Sequence, residues 1–178
     1  TSNIAYIFQG DSTMPWLTVA QNVAFGLNIK HTPPKQRDEL VDKYLDIVGL
    51  TKFRNYYPKQ LSSSMLQRVS IARAFATEPE LLLMDEPYGQ LDIELRFKLE
   101  DELVKLWEMT GTTVIFITHN IEEAVYLGQR IMILTNKPTT VKETVDNNMP
   151  RPRDIAAPEF IDLRNRVTER IKWLSLIH

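Results

Sequence analysis

The chain has 178 residues, of which 43% are hydrophobic and 25% are charged, and its formal net charge is −2. The near-neutral charge gives no overall indication of nucleic-acid binding, and the lack of cysteine excludes disulfides and thiolate metal sites. Because no apolar run approaches the ~18 residues that span a bilayer, we expect a soluble protein of the cytoplasm.

Short apolar runs and segments of helical periodicity alternate along the first half. Residues 4–8 are strand-like and follow the first residues directly, so we expect a fragment of a longer protein. A helix from Pro33 to Gly49 comes next. A further helix follows the serines at 62–64 and ends before Pro79.

The second half continues the alternation. Residues 81–84 are apolar at every position, which predicts a strand buried on both faces, and residues 112–118 and 130–135 predict two more. The other predicted elements are a helix over 91–109 ended by Gly111, a short helix capped by Asn120, a half-exposed strand over 139–146 and a tail helix from about Pro158. Strands that alternate with helices predict an α/β fold with a largely parallel sheet.

Polar residues follow three of the predicted strands, at the sheet edge where active groups gather. Gln9 follows the first strand, Asp85 and Glu86 follow the next, and His119 follows the one after it. Asp85 could hold Mg²⁺ together with phosphate oxygens, and Glu86 could act as a general base on water. His119 could hydrogen-bond a transferring phosphate, and Gln9 could contact the metal or the water.

Each of these features also has a purely structural interpretation. An acidic pair after a strand often only begins a loop or caps a helix, and a single histidine there is more often structural. Ser62, Ser63 and Ser64 can cap the helix that follows them, although the free N–H groups of a helix N-terminus also bind anions. The order and spacing of the motifs together favour a nucleotide site.

The same motifs resemble the ATP-binding subunit of ABC transporters over about residues 4–135. The resemblance rests on MPWLTVAQNVAFGL after Gln9, on LSSSMLQRVSIARAFATEPELLLMDEPYGQLD and on VIFITHNIEEAVYLGQRIMIL. It implies a P-loop NTPase-like fold: a partial ATPase domain at 1–150, with a helical signature subdomain at 10–78, and a helical tail at 151–178. The PWLTVAQNV and RPRD strings are most similar to importers of nitrate, sulfonate and taurine.

The resemblance implies a role for each motif residue. Gln9 would be the Q-loop glutamine that senses Mg²⁺ and couples to the permease. Asp85 would be the metal-holding Walker B aspartate, Glu86 the catalytic glutamate and His119 the switch histidine. The implied nucleotide-binding residues are Ser62, Ser63, Ser64, Met65 and Gln67 of the signature region and Asp92 of the D-loop. The implied cofactors are ATP and Mg²⁺.

The resemblance also implies partners. They are a second ATPase subunit, in a homodimer that sandwiches two ATP molecules, the transmembrane permease subunits and, indirectly, an extracytoplasmic solute-binding protein; no nucleic acid is implied. The permease groove would lie within residues 10–60, with Pro15, Trp16 and Leu17 near the contact. The protein would be cytoplasmic and peripheral on the inner face of the cell membrane.

Two departures from the family pattern matter. Ser63 and Ser64 stand where the family signature has glycines, and a Cβ restricts backbone approach to phosphate. No G-x-x-x-x-G-K-[ST] loop, which cradles phosphates, occurs in the chain. We therefore expect the N-terminal strands and the P-loop to be absent and the chain to be inactive alone.

The missing strand has a structural consequence. In the family, the P-loop strand lies between the strands that match VIFIT and IMILT. Exposed apolar edges invite pairing with other chains. We therefore expect the chain to rearrange, swap segments or dimerise through that gap.

Three other functions stay open. The chain could be a non-catalytic module that offers its signature to another subunit, which the missing P-loop and the serines favour. It could also be a soluble ABC protein without a permease, although it has neither paired cassettes nor long inserts. A metal-dependent hydrolase that uses Asp85, Glu86 and His119 directly is the least favoured, because the sequence supplies no full ligand set.

Overall fold

The computed structural model describes residues 3–10, 12–89 and 91–175, with side chains of the last helix up to Lys172. The strands are β1 (Ile4–Ile7), β2 (Leu81–Asp85), β3 (Thr113–Ile117), β4 (Arg130–Leu134) and β5 (Val141–Asp146), and the helices are α1 (Val19–Ile29), α2 (Pro34–Ile47), α3 (Ser63–Ala76), α4 (Ile93–Thr110), α5 (Ile121–Leu127) and α6 (Pro158–Ser175). The chain divides into two compact units, Thr1–Ile117 and Thr118–His178.

The first unit contains a parallel sheet in the order β1–β2–β3. The central strand β2 pairs with both neighbours, so that Leu82 lies between Ala5 and Val114. Leu82 and Met84 are fully buried, while Ile115 of β3 is 50% exposed. The prediction of a strand buried on both faces is therefore wrong for 112–118, whereas 81–84 is fully buried on one face and partly buried on the other. An apolar run indicates a strand, but it does not say whether the described chain covers one face or two.

The region between β1 and β2 is helical. α1 begins after Thr18, whose side chain and that of Gln21 form a capping box, and it packs against α2 and α3. A Cβ at Gly26 would come within 2.5 Å of the Thr77 side chain, so glycine is needed for this close approach. α1 is missing from the predicted elements, although the capping-box spacing Thr18-x-x-Gln21 indicates the start of a helix there.

The other helices of the first unit follow the predictions. α2 begins behind Pro33 and ends at Ile47, and Gly49 takes the left-handed conformation with φ of +68°. α3 ends at Ala76 and α4 ends at Thr110, before Gly111, which also has a positive φ.

The second unit pairs β4 with β5 in an antiparallel sheet. Its core contains Val125, Ile131, Phe160 and Val167, from α5, β4 and α6. The half-exposed strand predicted over 139–146 is confirmed by β5. The prediction of a buried parallel strand over 130–135 is wrong, because β4 alternates between buried and exposed residues and its pairing partner is β5.

The predicted α/β class is confirmed, with a parallel sheet and a helical region between its first two strands. The division into a partial ATPase domain at 1–150 and a tail at 151–178 stays a prediction. Within the described residues, no helix is both long and apolar enough to cross a membrane.

Candidate functional site

The carboxyl end of β2 carries two adjacent acids. Asp85 is the last residue of the strand, and Glu86 follows it with φ of +43°, a conformation that is costly for a residue with a side chain. The backbone N–H of Glu86 donates to the carbonyl of Ile117 at 2.9 Å, which ties this turn to the end of β3. Strained backbone of this kind clusters at functional sites, which makes the turn the first candidate.

Two side chains from the β1 region contact these acids. The Gln9 amide Nε2 donates to Glu86 Oε2 at 3.2 Å, and the Tyr6 hydroxyl donates to Asp85 Oδ2 at 3.3 Å. The parallel register places Tyr6 beside Leu83, so its side chain lies on the same sheet face as that of Asp85. The structure therefore brings together three of the predicted site residues and adds Tyr6.

Tyr6 was absent from the predicted site, because its contact with Asp85 depends on the register of two strands that lie far apart in the sequence. Burial, and next the Asp85 carboxylate, raise the pKa of its phenol above the usual value. A phenol is protonated at neutral pH even with its ordinary pKa, so Tyr6 is the hydrogen-bond donor to Asp85.

The N-terminus of α3 carries the three serines that the resemblance assigns to the signature. Ser62 caps the helix, because its Oγ accepts from the backbone N–H of Met65 at 3.3 Å, and it lies 3.0 Å from Ser64 Oγ. Ser62 and Ser63 are exposed. Capping uses only a lone pair of the Ser62 oxygen, so its O–H can still donate to an anion. The capping and phosphate-binding interpretations are therefore compatible.

The other two predicted nucleotide residues differ in exposure. Gln67 is 6% exposed, and its Nε2 has no hydrogen-bond partner among the described residues. Asp92 is exposed and caps α4, accepting from the backbone N–H of Leu95 at 2.9 Å. Asp92 is accessible to another molecule, whereas Gln67 lies inside its unit.

His119 belongs to the second unit and is exposed. It lies between Thr118 and Asn120. Asn120 is the N-cap of α5, because its side-chain oxygen accepts from the backbone N–H of Glu122 at 2.9 Å. The predicted short helix is confirmed, and the histidine directly precedes its cap.

Asp85 and Glu86 fit a Mg²⁺ site, in which water and phosphate supply most ligands, better than a site in which protein side chains supply all of them. Within the described residues, no group of three or more His, Asp or Glu side chains is placed to hold a metal ion. Mg²⁺ takes one or two carboxylates and completes its shell with phosphate oxygens and water. Asp85, half-buried at the strand end, fits that requirement.

Comparison with known proteins identifies the family. The sequence profile described as "ABC transporter" matches residues 1–89. An uncharacterized ABC transporter ATP-binding protein of Methanocaldococcus jannaschii is 45% identical over 166 residues, 93% of this chain and 62% of the relative. This chain belongs to the ABC transporter ATPase family. It spans less than two thirds of the length of that relative.

Two further relatives of this ABC ATPase chain support the assignment. The aliphatic sulfonates import ATP-binding protein SsuB of Bacillus cereus is 41% identical over 172 residues, which cover 97% of the chain and 67% of SsuB. A dimeric ATP-binding cassette, solved in a post-hydrolysis state with ADP and phosphate, is 33% identical with a TM-score of 0.70. That match covers 84% of this chain and 65% of the cassette, and it confirms the predicted ABC ATPase fold.

Proposed function

We propose that this chain is part of an ABC-importer subunit that hydrolyses ATP at a dimer interface and so drives solute uptake through a membrane permease. The observation that carries the proposal is the contact of Gln9 with Glu86 beside Asp85 at the carboxyl end of β2. The solute would be small and of the nitrate, sulfonate or taurine class, and the relative named for the import of aliphatic sulfonates supports a sulfonate. The permease and the solute-binding protein would select the solute itself.

The residues divide the chemistry between them. Asp85 would hold Mg²⁺, which neutralises charge on the phosphates when bound. Glu86 would accept a hydrogen bond from the attacking water and polarise it, and its turn is already fixed by the bond to Ile117. The Gln9 amide would orient the Glu86 carboxylate, and His119 would hydrogen-bond the transferring phosphate.

The signature end of α3 would serve the second subunit. Ser62 and Ser63 are exposed, and the first N–H groups of a helix favour an anion. The hydroxyls of Ser63 and Ser64 would donate to the phosphate where the family has glycine N–H groups. Asp92, at the start of α4, would contribute to the same interface.

Hydrolysis tests the catalytic role of Glu86. In protein made from the complete reading frame, Glu86→Gln should slow Mg-ATP hydrolysis about 10²–10⁴-fold while ATP binding persists, because general-base catalysis contributes a factor of that size. The matched control is Glu108→Gln, the same change at an exposed position of α4, which should keep the wild-type rate. Equal rates for the two variants would contradict the proposal.

A cleft on α1 suits the permease contact. It has a volume of about 460 Å³ and is lined by Trp16, Leu17, Gln21, Phe25, Asn28 and Ile29. Trp16 is 72% exposed and Ile29 is 64% exposed, so the cleft offers an apolar surface to a partner helix. The protein would thereby sit on the cytoplasmic face of the membrane.

Membrane fractionation of cells that express the protein tests this contact. Trp16→Glu should move most of the protein from the membrane fraction to the soluble fraction, because a carboxylate in the cleft opposes apolar docking. Ile93→Glu, at a residue that is 65% exposed and lies outside the cleft, should leave the distribution unchanged. Retention of Trp16→Glu on membranes at the wild-type level would exclude the cleft as the docking site.

A non-catalytic module is the second candidate. It is supported by the absence of a P-loop motif from the 178 residues and by Ser63 and Ser64 in the signature. Such a module would not hydrolyse ATP in any form, but it would stimulate hydrolysis by a P-loop-bearing subunit. The rate of the wild-type protein in the Glu86→Gln experiment separates the two candidate functions: measurable hydrolysis supports the ATPase, and none supports the module.

A further inference from the structure

Helix α5 ends without a left-handed cap residue. It has seven residues, too few to be stable in isolation, and Gly128 leaves it in an extended conformation with ψ of 133°. The N–H of Gly128 donates to the carbonyl of Ala124, but the carbonyls of residues 125–128 need other donors. Those donors come from side chains further along the chain.

Arg153 supplies most of them. Its Nη1 donates to the carbonyls of Val125 at 2.9 Å, Tyr126 at 2.8 Å and Gly128 at 2.8 Å. The residue is 7% exposed. A guanidinium carries five N–H donors in a fixed fork, which suits several acceptors at once, and a cation is favourable at a helix C-terminus.

Two neighbouring side chains complete this cap. Arg151 donates to the carbonyls of Tyr126 and Leu127, and the Asn147 amide donates to Val125 at 2.8 Å. Burial, and next the charge of Arg151, lower the pKa of Arg153 to about 10, so it stays protonated at neutral pH. The segment from Asn147 to Arg153 therefore holds the whole C-terminal turn of α5.

The other end of α5 is tied to the residues on both sides of His119. The Thr118 hydroxyl donates to Glu123 Oε2 at 2.5 Å, and it accepts from the backbone N–H of Asn120 at 2.9 Å. The Asn120 side chain caps the helix, and Glu123 is 4% exposed. A rotation of α5 would therefore move Thr118 and Asn120, and His119 with them.

We propose that Arg153 is a positioning residue that fixes the His119 side chain through helix α5. The importance of that orientation for ATP hydrolysis rests on the function proposed above for His119. Lysine should replace Arg153 only in part. Its single ammonium can donate to the helix carbonyls that Nη1 contacts, but it cannot also make the bonds of Nε to the Met149 carbonyl and of Nη2 to the Asn147 carbonyl.

Histidine NMR and hydrogen exchange test this proposal without requiring ATP hydrolysis. The chain has three histidines, so a His119→Gln spectrum assigns the His119 ring signals by difference. Arg153→Met should shift or broaden those signals and speed amide exchange in α5 about tenfold or more, with Arg153→Lys showing a smaller change. Arg166→Met, at an exposed position of α6 in the same unit, is the control and should match wild type.

The result that supports the proposal is a change confined to residues 118–128 while α6 and the β4–β5 sheet stay protected. Unchanged His119 signals in folded Arg153→Met would overturn it. An equal loss of protection across the whole second unit, in both Arg153→Met and Arg153→Lys, would also overturn it, because Arg153 would then be a general stabiliser. A catalytic failure of Glu86 leaves all of these readings intact, so the two proposals fail separately.

Discussion

At the scale of single residues, the serines at the start of α3 have an observed structural role and a proposed functional one. Ser62 was expected either to cap α3 or to contact a phosphate, and the structure shows the cap. Its neighbour Ser63 is equally exposed but is not the capping residue. The two positions can therefore be separated by experiment.

The Ser62 cap predicts a difference in stability. Ser62→Ala should lower the free energy of unfolding by about 1 kcal/mol, because it removes the acceptor of the Met65 N–H. Ser63→Ala should change it by less than about 0.5 kcal/mol. Urea unfolding followed by circular dichroism measures both, and an equal loss for the two variants would argue against the capping role.

Sequence predicted the site residues whose signal is local. Asp85 and Glu86 stand out because acids directly follow an apolar strand, and Gln9 likewise follows an apolar strand. The structure places Gln9 in contact with Glu86. Arg153 could not be found in this way. The helix carbonyls that it binds lie 25 to 28 residues earlier, and no local pattern links the two segments.

At the scale of elements, an ion pair joins the signature helix to the next helix of the unit. Arg68 of α3 donates to both carboxylate oxygens of Glu102 on α4, at 2.7 and 3.0 Å. Both side chains are three-quarters buried or more. Such a bidentate pair fixes the angle of α3, and with it the direction in which the signature serines point.

Removal of Arg68 should destabilise the protein in a pH-dependent way. Arg68→Met should cost about 1–3 kcal/mol near neutral pH, because it leaves a buried carboxylate unpaired. Burial raises the pKa of Glu102 despite Arg68, so the folded state loses stability as pH rises through that pKa. Removal of Arg68 raises the pKa of Glu102 further, because the nearby positive charge is gone, and so increases the stability that is lost as pH rises. The cost should therefore shrink as pH falls and Glu102 becomes protonated.

Unfolding of Arg68→Met at a series of pH values checks this expectation. Lys98→Met is the control, since its pair with Glu94 on the same helix is exposed and contributes less than about 0.5 kcal/mol. A cost for Arg68→Met that is independent of pH would show that the pair with Glu102 is not its source.

Element prediction failed where tertiary pairing decides the outcome. The apolar runs at 112–118 and 130–135 look alike in sequence, but β3 joins a parallel sheet and β4 an antiparallel one. Strand register and partner depend on residues far apart in the chain, which local composition does not encode. Helix limits were better predicted, because prolines, glycines and caps act locally, as Gly49 and Gly111 show.

At the scale of the whole molecule, apolar sheet surface is exposed in both units. Ile115 and Ile117 of β3 are about half exposed, and so are Met132 and Leu134 of β4. The expectation that the chain rearranges, swaps segments or dimerises where the family has its P-loop strand stays a prediction. Exposed apolar surface of this kind is typical of a surface that another polypeptide segment covers.

In the proposed ATP sandwich, Glu86 of one subunit and the α3 serines of the other would act on the same nucleotide. Sedimentation velocity of the Glu86→Gln protein, made from its complete reading frame, tests it most directly, because blocked hydrolysis should trap the ATP-bound state. We expect a monomer without nucleotide and a dimer with Mg-ATP. A protein that binds Mg-ATP and stays monomeric at saturation would contradict the account.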